Sequence, residues 1–231
     1  MEITREGFDA WRADQADAPF TEWLRETTEP VWTEVVTHRF AKELAAGTID
    51  RDVLRRYLVQ DYSFIDRFVS LAGMAIGRAP DLESRLPLVR FLAMICSDEN
   101  TYFQRSFDAL GVSQRERSAP ELLPVTADFH AIMAEAAEGA TYAEALAVLV
   151  VAEWSYRSWA IGVRGPRPAE FTMAEWIELH DNPFFNDFVD WLKGQLDREG
   201  ETLRGPAFDR TVSLFRRTVE LEKRFFDAAY G

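Results

Sequence analysis

Beyond Asp50 the chain carries apolar side chains at Leu54, Tyr57, Leu58, Phe64, Ile65, Phe68 and Ala72. Steps of three and four residues gather such side chains on one face of an α-helix and would scatter them over both faces of a strand. The same period runs through LESRLPLVRFLAMICSDENTYFQRSFDALGV. It returns from about Pro124 to Glu138, Thr141 to Val163, Thr172 to Leu179, Asn182 to Glu199 and Gly205 to Ala229. No strand-like alternation interrupts it, so the apolar surface is expected to be buried by packing helix on helix. In TTEPVWTEVVTHRFAKELAAG the sequence predicts one helix capped by Thr28, with Pro30 in its first turn and Gly47 at its end. Asp50 is the expected cap of the next helix, and Gly111 closes another before the polar loop SQRERSAPE.

A hydrophobic content of 47% over 231 residues supports a substantial core, and no repeat, Ser/Gly linker or low-complexity tract divides it. The expectation is a single all-α domain over residues 1–231, a multi-helical bundle with its core at about 20–230 and an N-terminal extension over 1–19. The formal net charge of -13 repels phosphate backbones and anionic lipid, which argues against nucleic acid and membrane partners. The acidic N-terminus has no basic, apolar leader pattern, and no run of about 18 apolar residues marks a membrane span. Cys96 is the one cysteine and lies in the apolar stretch FLAMICSDEN, where a buried structural thiol in a reducing, cytoplasmic setting is expected.

Four acids fall on the apolar stripes. Asp61 lies between Leu58 and Phe64/Ile65, and Glu99 between Leu92, Ile95 and Tyr102. Glu153 sits inside LVVAEWSYRSWA, and Glu222 on the stripe of Phe215, Val219 and Phe226. An ionised carboxylate on a core face costs several kcal/mol, on the order of 2–7 for an unpaired polar group and more for a charge, unless it is paired or its pKa moves. One such acid is readily explained by a buried Tyr, Trp or Arg partner, and for Glu153 the competing reading is a hydrogen bond to a buried Tyr or to Arg157. Four together describe a polar site built into a helical core.

Two chemistries could use that site. A carboxylate-bridged di-iron centre needs Glu-x-x-His from two helices, but the chain has only His38, His130 and His180 and no Glu-x-x-His, so no metal is expected. The other is recognition of a small, planar, basic molecule. A carboxylate accepts from a ring N–H and an exocyclic amine, aromatic side chains stack on the ring, and a second acid protonates a leaving amine. Tyr62, Phe64, Tyr102, Trp154, Tyr156, Trp159, Phe225 and Phe226 supply aromatic surface near the acids, most of it expected to be ordinary core.

The segment HRFAKELAAGTIDRDVLRRYLVQDYSFIDRF, from His38 to Phe68, resembles the signature of the TenA family, thiaminase II and its relatives, in which a His-Pro-Phe helix leads to Gln-Asp-Tyr. The resemblance continues through ENTYFQRSFDALGV, through EWSYRSWA at that family's Cys-x-Trp-x-Tyr helix, and through ELEKRFFDAAY near the C-terminus. It implies a heme-oxygenase-like helical fold, a homotetramer or homodimer, and a central pocket in which the C–N bond of an aminomethylpyrimidine or of thiamin is hydrolysed without a cofactor. Carried over by position, Asp61 holds the aminopyrimidine ring, Phe64 packs against it, Tyr156 lines the pocket and Glu222 handles the leaving amine. Glu99 joins them as a further acid of the substrate pocket.

This chain departs from that pattern where the family's nucleophilic Cys would stand, because the alignment puts Ala152 there. Val125 and His180 stand where two further pocket tyrosines are expected. The chain therefore resembles the Cys-less branch, and Glu153, three residues from Tyr156 on the same helix, is the candidate to activate water or position the substrate amine while Glu222 protonates the leaving nitrogen. The alternatives are a non-catalytic, pyrimidine- or metabolite-binding or regulatory protein, and a pyrroloquinoline-quinone-synthesis-like oxidase. The oxidase needs basic pocket residues, whereas Arg56, Arg67 and Arg105 fall on polar stripes.

Overall fold

A computed structural model describes residues 2–15 and 18–231; the first residue and two positions of the expected N-terminal extension lie outside the described residues. The axis of the fold is α10 (Tyr142–Ala160), which is buried at every position from Tyr142 to Tyr156. A helix apolar all round must be enclosed by others. Around it pack α12 (Pro183–Thr202) and α13 (Gly205–Ala228), with α5 (Arg51–Arg78), α9 (Pro124–Glu138) and α3 (Val31–Val36) closing the other sides. Outside these lie α4 (Arg39–Ala46), α6 (Leu82–Met94), α7 (Asn100–Leu110) and α11 (Phe171–Leu179). A π-helical turn, Ile95–Glu99, joins α6 to α7, and no strand occurs among the described residues.

The stop signals act as the sequence predicts. Asp50 caps α5 by accepting from the backbone N–H of Asp52 at 2.8 Å and of Val53 at 3.3 Å. Gly47 and Gly111 end α4 and α7 in the left-handed region, at φ 68° and 70°. Other expectations need correction. The Thr28 hydroxyl caps no helix but donates to the Arg25 carbonyl, and the expected single helix is two, α3 and α4. It breaks after the β-branched run Val35, Val36, Thr37, where the His38 imidazole Nδ1 accepts from the Phe40 N–H at 3.1 Å and starts α4. The loop after Gly111 holds a short helix, α8 (Gln114–Ser118), with a capping box between Ser113 and Glu116. The N-terminal region folds as α1 (Arg5–Asp14) and α2 (Phe20–Glu26), whose Phe8, Phe20 and Trp23 rings cluster with Phe208. Cys96 is exposed rather than buried, because the π-helical turn faces it outward.

The Gln60-Asp61-Tyr62 motif shows how the helices are held in register. Successive helical residues point about 100° apart, so the three side chains serve three directions. The Gln60 amide donates to the Glu121 carbonyl at 2.9 Å, and its oxygen accepts from the Leu123 N–H at 3.0 Å and the Thr126 hydroxyl at 2.6 Å. It thus pins the start of α9 to α5. The Tyr62 hydroxyl donates to Asn100 Oδ1 at 2.9 Å and accepts from Gln104 at 3.1 Å, tying α5 to α7. Asp61, between them, is left to face the interior.

Gln60→Leu should remove all three bonds to the α9 start and leave buried Thr126 without a partner, costing about 3 kcal/mol at about 1 kcal/mol per hydrogen bond. Urea denaturation checks this, and an unchanged midpoint would show that α9 is held by other contacts.

Candidate active site

Three helices and the π-helical turn bring the flagged acids to one cavity of about 490 Å³, its mouth included. Asp61 comes from α5, Glu99 from the π-helical turn, Glu153 from α10 and Glu222 from α13. The π-helical turn aims Ile95 and Glu99 inward while Cys96, Ser97 and Asp98 face solvent. Such single-turn π segments are common where a helix must re-aim a functional side chain. Aromatic rings form the walls: Phe64 and Phe68 from α5, Phe129 from α9, Tyr156 from α10, Trp176 from α11 and Phe225 from α13.

All four carboxyls are buried. Burial alone raises Glu99 to about 8. Asp61 is pushed well above the usual carboxylate range by burial first and by the Glu99 charge second, and Glu222 by burial and then by Asp61. Glu153 is raised by burial and by the charges of Glu99, Glu222 and Asp61 together, so it senses the whole cluster. Among the described residues no hydrogen bond or cation offsets these effects, and no Lys or Arg lines the cavity.

The other polar groups are fixed by the scaffold. The Tyr156 hydroxyl shares a 2.6 Å hydrogen bond with that of buried Tyr57. His180 Nδ1 lies 2.8 Å from the Trp176 carbonyl, which can only accept, so Nδ1 carries the proton and Nε2 presents a lone pair. Burial lowers His180 to about 4, so the ring is neutral at physiological pH. The competing reading of Glu153 is not what the structure shows. Arg157 is taken up by Asp190 at 2.5 Å and the Asn186 carbonyl at 3.1 Å, and the Tyr156 hydroxyl by Tyr57.

Of the residues singled out from sequence, Asp61, Phe64, Glu99, Glu153, Tyr156, His180 and Glu222 line the cavity, as does Ala152. Val125 does not. It is buried in the first turn of α9, beside the Gln60–Thr126 clamp, and Phe129 one turn later takes its place in the wall. Among the eight flagged aromatics Phe64, Tyr156 and Phe225 reach the cavity, whereas Tyr102 stacks on Trp176 and Trp154 packs on Trp32. Sequence reasoning missed Phe68, Phe129 and Trp176 as wall residues, and Tyr57 as the partner of Tyr156. Phe68 was within reach, one turn beyond Phe64 on the same stripe. Among the described residues no group of three or more His, Cys, Asp or Glu is arranged to hold a metal ion.

Because Glu99 binds its proton more tightly in the folded state, stability is greatest below the unfolded value of 4.5 and falls as pH rises toward 8. Glu99→Gln, which cannot ionise, should match the parent near pH 4 and exceed it at pH 7 by up to about 3 kcal/mol. Melting temperatures of both proteins across that range test this. A variant no more stable at pH 7 would mean that the carboxylate is ionised and compensated.

The chain is 24% identical over 214 residues to an aminopyrimidine aminohydrolase of Halalkalibacterium halodurans, covering 92% of this chain and 96% of that one. It is 27% identical over 219 residues to an aminopyrimidine aminohydrolase of Staphylococcus carnosus, covering 91% and 94%. In fold it is similar to a TenA homologue of Pyrococcus horikoshii, with TM-score 0.81 at 18% identity over 92% of this chain and 99% of the other. A heme-oxygenase-like domain from Shewanella denitrificans gives TM-score 0.54 at 15% identity, covering 91% of each chain. The profile of the TENA/THI-4/PQQC family matches residues 25–231, the span that carries all four cavity acids, and the protein belongs to that family.

Proposed function

We propose that this protein hydrolyses the C–N bond of an aminomethylpyrimidine, releasing an amine and a hydroxymethylpyrimidine, without a Cys nucleophile. The observation that carries this is the enclosure of four carboxyls, with no compensating cation, between aromatic walls. Such a cavity disfavours anions and neutral apolar molecules. It favours a flat cation that brings the missing positive charge and several N–H donors. The aminopyrimidine aminohydrolases to which the chain is similar support the substrate class.

In this reading Asp61 accepts from the amino edge of the pyrimidine, and Phe64 and Tyr156 pack against the ring. Positive charge on the substrate's protonated pyrimidine ring stabilises ionised Glu153, which then takes a proton from water, while the amine nitrogen to be released is neutral. The water oxygen bonds to the methylene carbon as the C–N bond breaks, and Glu222, still protonated before the step, delivers its proton to the departing nitrogen. Glu99 and the His180 Nε2 lone pair add acceptors for the remaining N–H groups. The oxidase alternative finds no support, since among the described residues no Lys or Arg lines the cavity and burial keeps the His180 ring neutral. Binding without turnover is the second reading, favoured by Ala152 at the position where the resembling family carries Cys. The proposal extends to a homotetramer or homodimer in the cytoplasm, in keeping with the resemblance. No described helix is long and apolar enough to cross a membrane.

The test is incubation with aminomethylpyrimidine, its formylated derivative and thiamin, following hydroxymethylpyrimidine and free amine by mass spectrometry. Glu153→Gln and Glu222→Gln should each lower kcat at least ~100-fold, the usual scale of a lost acid or base, while melting no lower than the parent. An active Glu153→Gln protein would overturn the role of Glu153, and no product from any substrate would favour binding without turnover.

A further inference from the structure

Tyr156 bears the one hydroxyl of the cavity lining among the described residues, and it lies one helical turn from Glu153 on the same face of α10. Its hydrogen-bond partner, Tyr57 of α5, stands behind the wall, 1% exposed and outside the lining. The 2.6 Å bond between the two oxygens can run either way, and the surroundings decide which. The Tyr57 ring packs among Phe40, Trp176, Phe225 and Phe226, with centroids 4.3 to 6.1 Å away. Among the described residues its hydroxyl has no hydrogen-bond partner other than Tyr156. If Tyr156 donated, the Tyr57 proton would be buried without an acceptor, an arrangement that folded proteins avoid. Tyr57 therefore donates, Tyr156 accepts, and the Tyr156 proton is free to point into the cavity. Burial and the neighbouring acids hold both hydroxyls well above the ordinary tyrosine range, so that proton stays in place when the carboxyls ionise.

We propose that Tyr57 is a positioning residue for the hydrolysis: by donating to Tyr156 it commits the Tyr156 hydroxyl to donate to the oxygen of the attacking water. The inference rests on the function proposed above and deepens it. Ionised carboxyls and the His180 Nε2 lone pair can only accept, so they take the protons of a water molecule and leave its lone pairs without a partner. Tyr156 supplies the donor. Negative charge grows on the water oxygen as Glu153 removes a proton, and a donor already aimed at that oxygen lowers the barrier. The oxygen bonds to the methylene carbon, one of its protons goes to Glu153 and the other stays on the product hydroxyl. The C–N bond breaks, and Glu222 protonates the departing nitrogen. The Tyr156 proton stays on the phenol throughout and ends in a hydrogen bond to the product hydroxyl.

Tyr57→Phe, Tyr156→Phe and the double variant separate positioning from packing in the intact protein. With aminomethylpyrimidine, Tyr57→Phe should lower kcat about tenfold and leave KM within about twofold, because the lost donor serves the water and not the ring. In the Tyr156→Phe background the same change should alter kcat by less than about twofold, since Tyr57 acts only through Tyr156. Losses that multiply, or an unchanged kcat in Tyr57→Phe, would overturn the role. A second readout needs no turnover: Kd values, by tryptophan fluorescence, for hydroxymethylpyrimidine and for its counterpart with methyl in place of hydroxymethyl. The product oxygen takes the place of the water oxygen, so the parent should prefer the hydroxymethyl ligand about tenfold and Tyr57→Phe less than about threefold. No preference in the parent, or the same preference in the variant, overturns the role. If the parent turns over no aminomethylpyrimidine, the catalytic reading fails by itself and this preference still decides what Tyr57 does; binding of neither ligand ends both. Should Tyr57→Phe not fold, 3-fluorotyrosine at position 57, a stronger donor of nearly the same shape, should raise the preference about twofold, and an unchanged preference would count against the role.

Discussion

Four carboxyl groups share one buried, aromatic-walled cavity, and among the described residues no Lys or Arg shares it with them. Each is pushed up by burial, and three of the four are pushed further by another acid of the group. Such a cluster is a standing cost to the fold, lowered by holding protons and removed by a cation. The selectivity for a cation proposed for this site rests on that cost. In the proposed function a ligand bringing positive charge lets the acids ionise in place, which couples binding to proton release and to the appearance of a base.

The cost can be carried because everything around the cavity is closely packed. α10 is buried over four turns and holds Glu153 and Tyr156 at fixed angles. The Tyr57–Tyr156 hydroxyl pair bridges α5 and α10 beside the cavity, and Gln60 and Tyr62 anchor α5 to α9 and α7 on either side of Asp61. At the far end of α13 the His38 ring stacks on Phe226 and shares a 3.1 Å hydrogen bond with Asp227, holding the turn that follows Glu222. The catalytic candidates thus sit on rigid elements whose neighbours are hydrogen-bonded away from the cavity, a requirement for side chains that must hold a productive geometry.

Much of this was legible in the sequence, because burial and helical periodicity leave the same mark. The acids stood out by interrupting apolar stripes, and all four reached the cavity. What the stripes could not tell is how far around a helix the inward arc extends. Val125 and Phe129 lie one turn apart on the same face of α9, yet only Phe129 reaches the cavity, since Gln60 draws the first turn against α5. Cys96 lies in apolar surroundings in the sequence, but the π-helical turn shifts the helical phase there and faces it to solvent. A phase shift of one residue leaves no signature in composition. His38 reads as an ordinary helical residue, and its role as a cap depends on the imidazole folding back to the Phe40 N–H.

A reaction without a Cys nucleophile, as proposed from the resemblance that places Ala152 at the family's Cys position, fits the same electrostatics. A thiol is a strong nucleophile only as the thiolate, which forms near cations, protonated His or helix N-termini and is disfavoured in apolar or anionic surroundings. Position 152 lies in the middle of a long buried helix, beside three acids from other elements and a His180 that burial keeps neutral. A cysteine there would face the same upward shift that the carboxyls show. In the proposed reaction a carboxyl one residue on starts from a far lower pKa, so a cationic substrate ring can bring it back to the ionised form, and water supplies the oxygen. In the proposed reaction Ala152 and Glu153 form a coherent pair: the small residue adds no bulk to the cavity wall, and the acid beside it is the proposed base, ionised when a cationic substrate arrives.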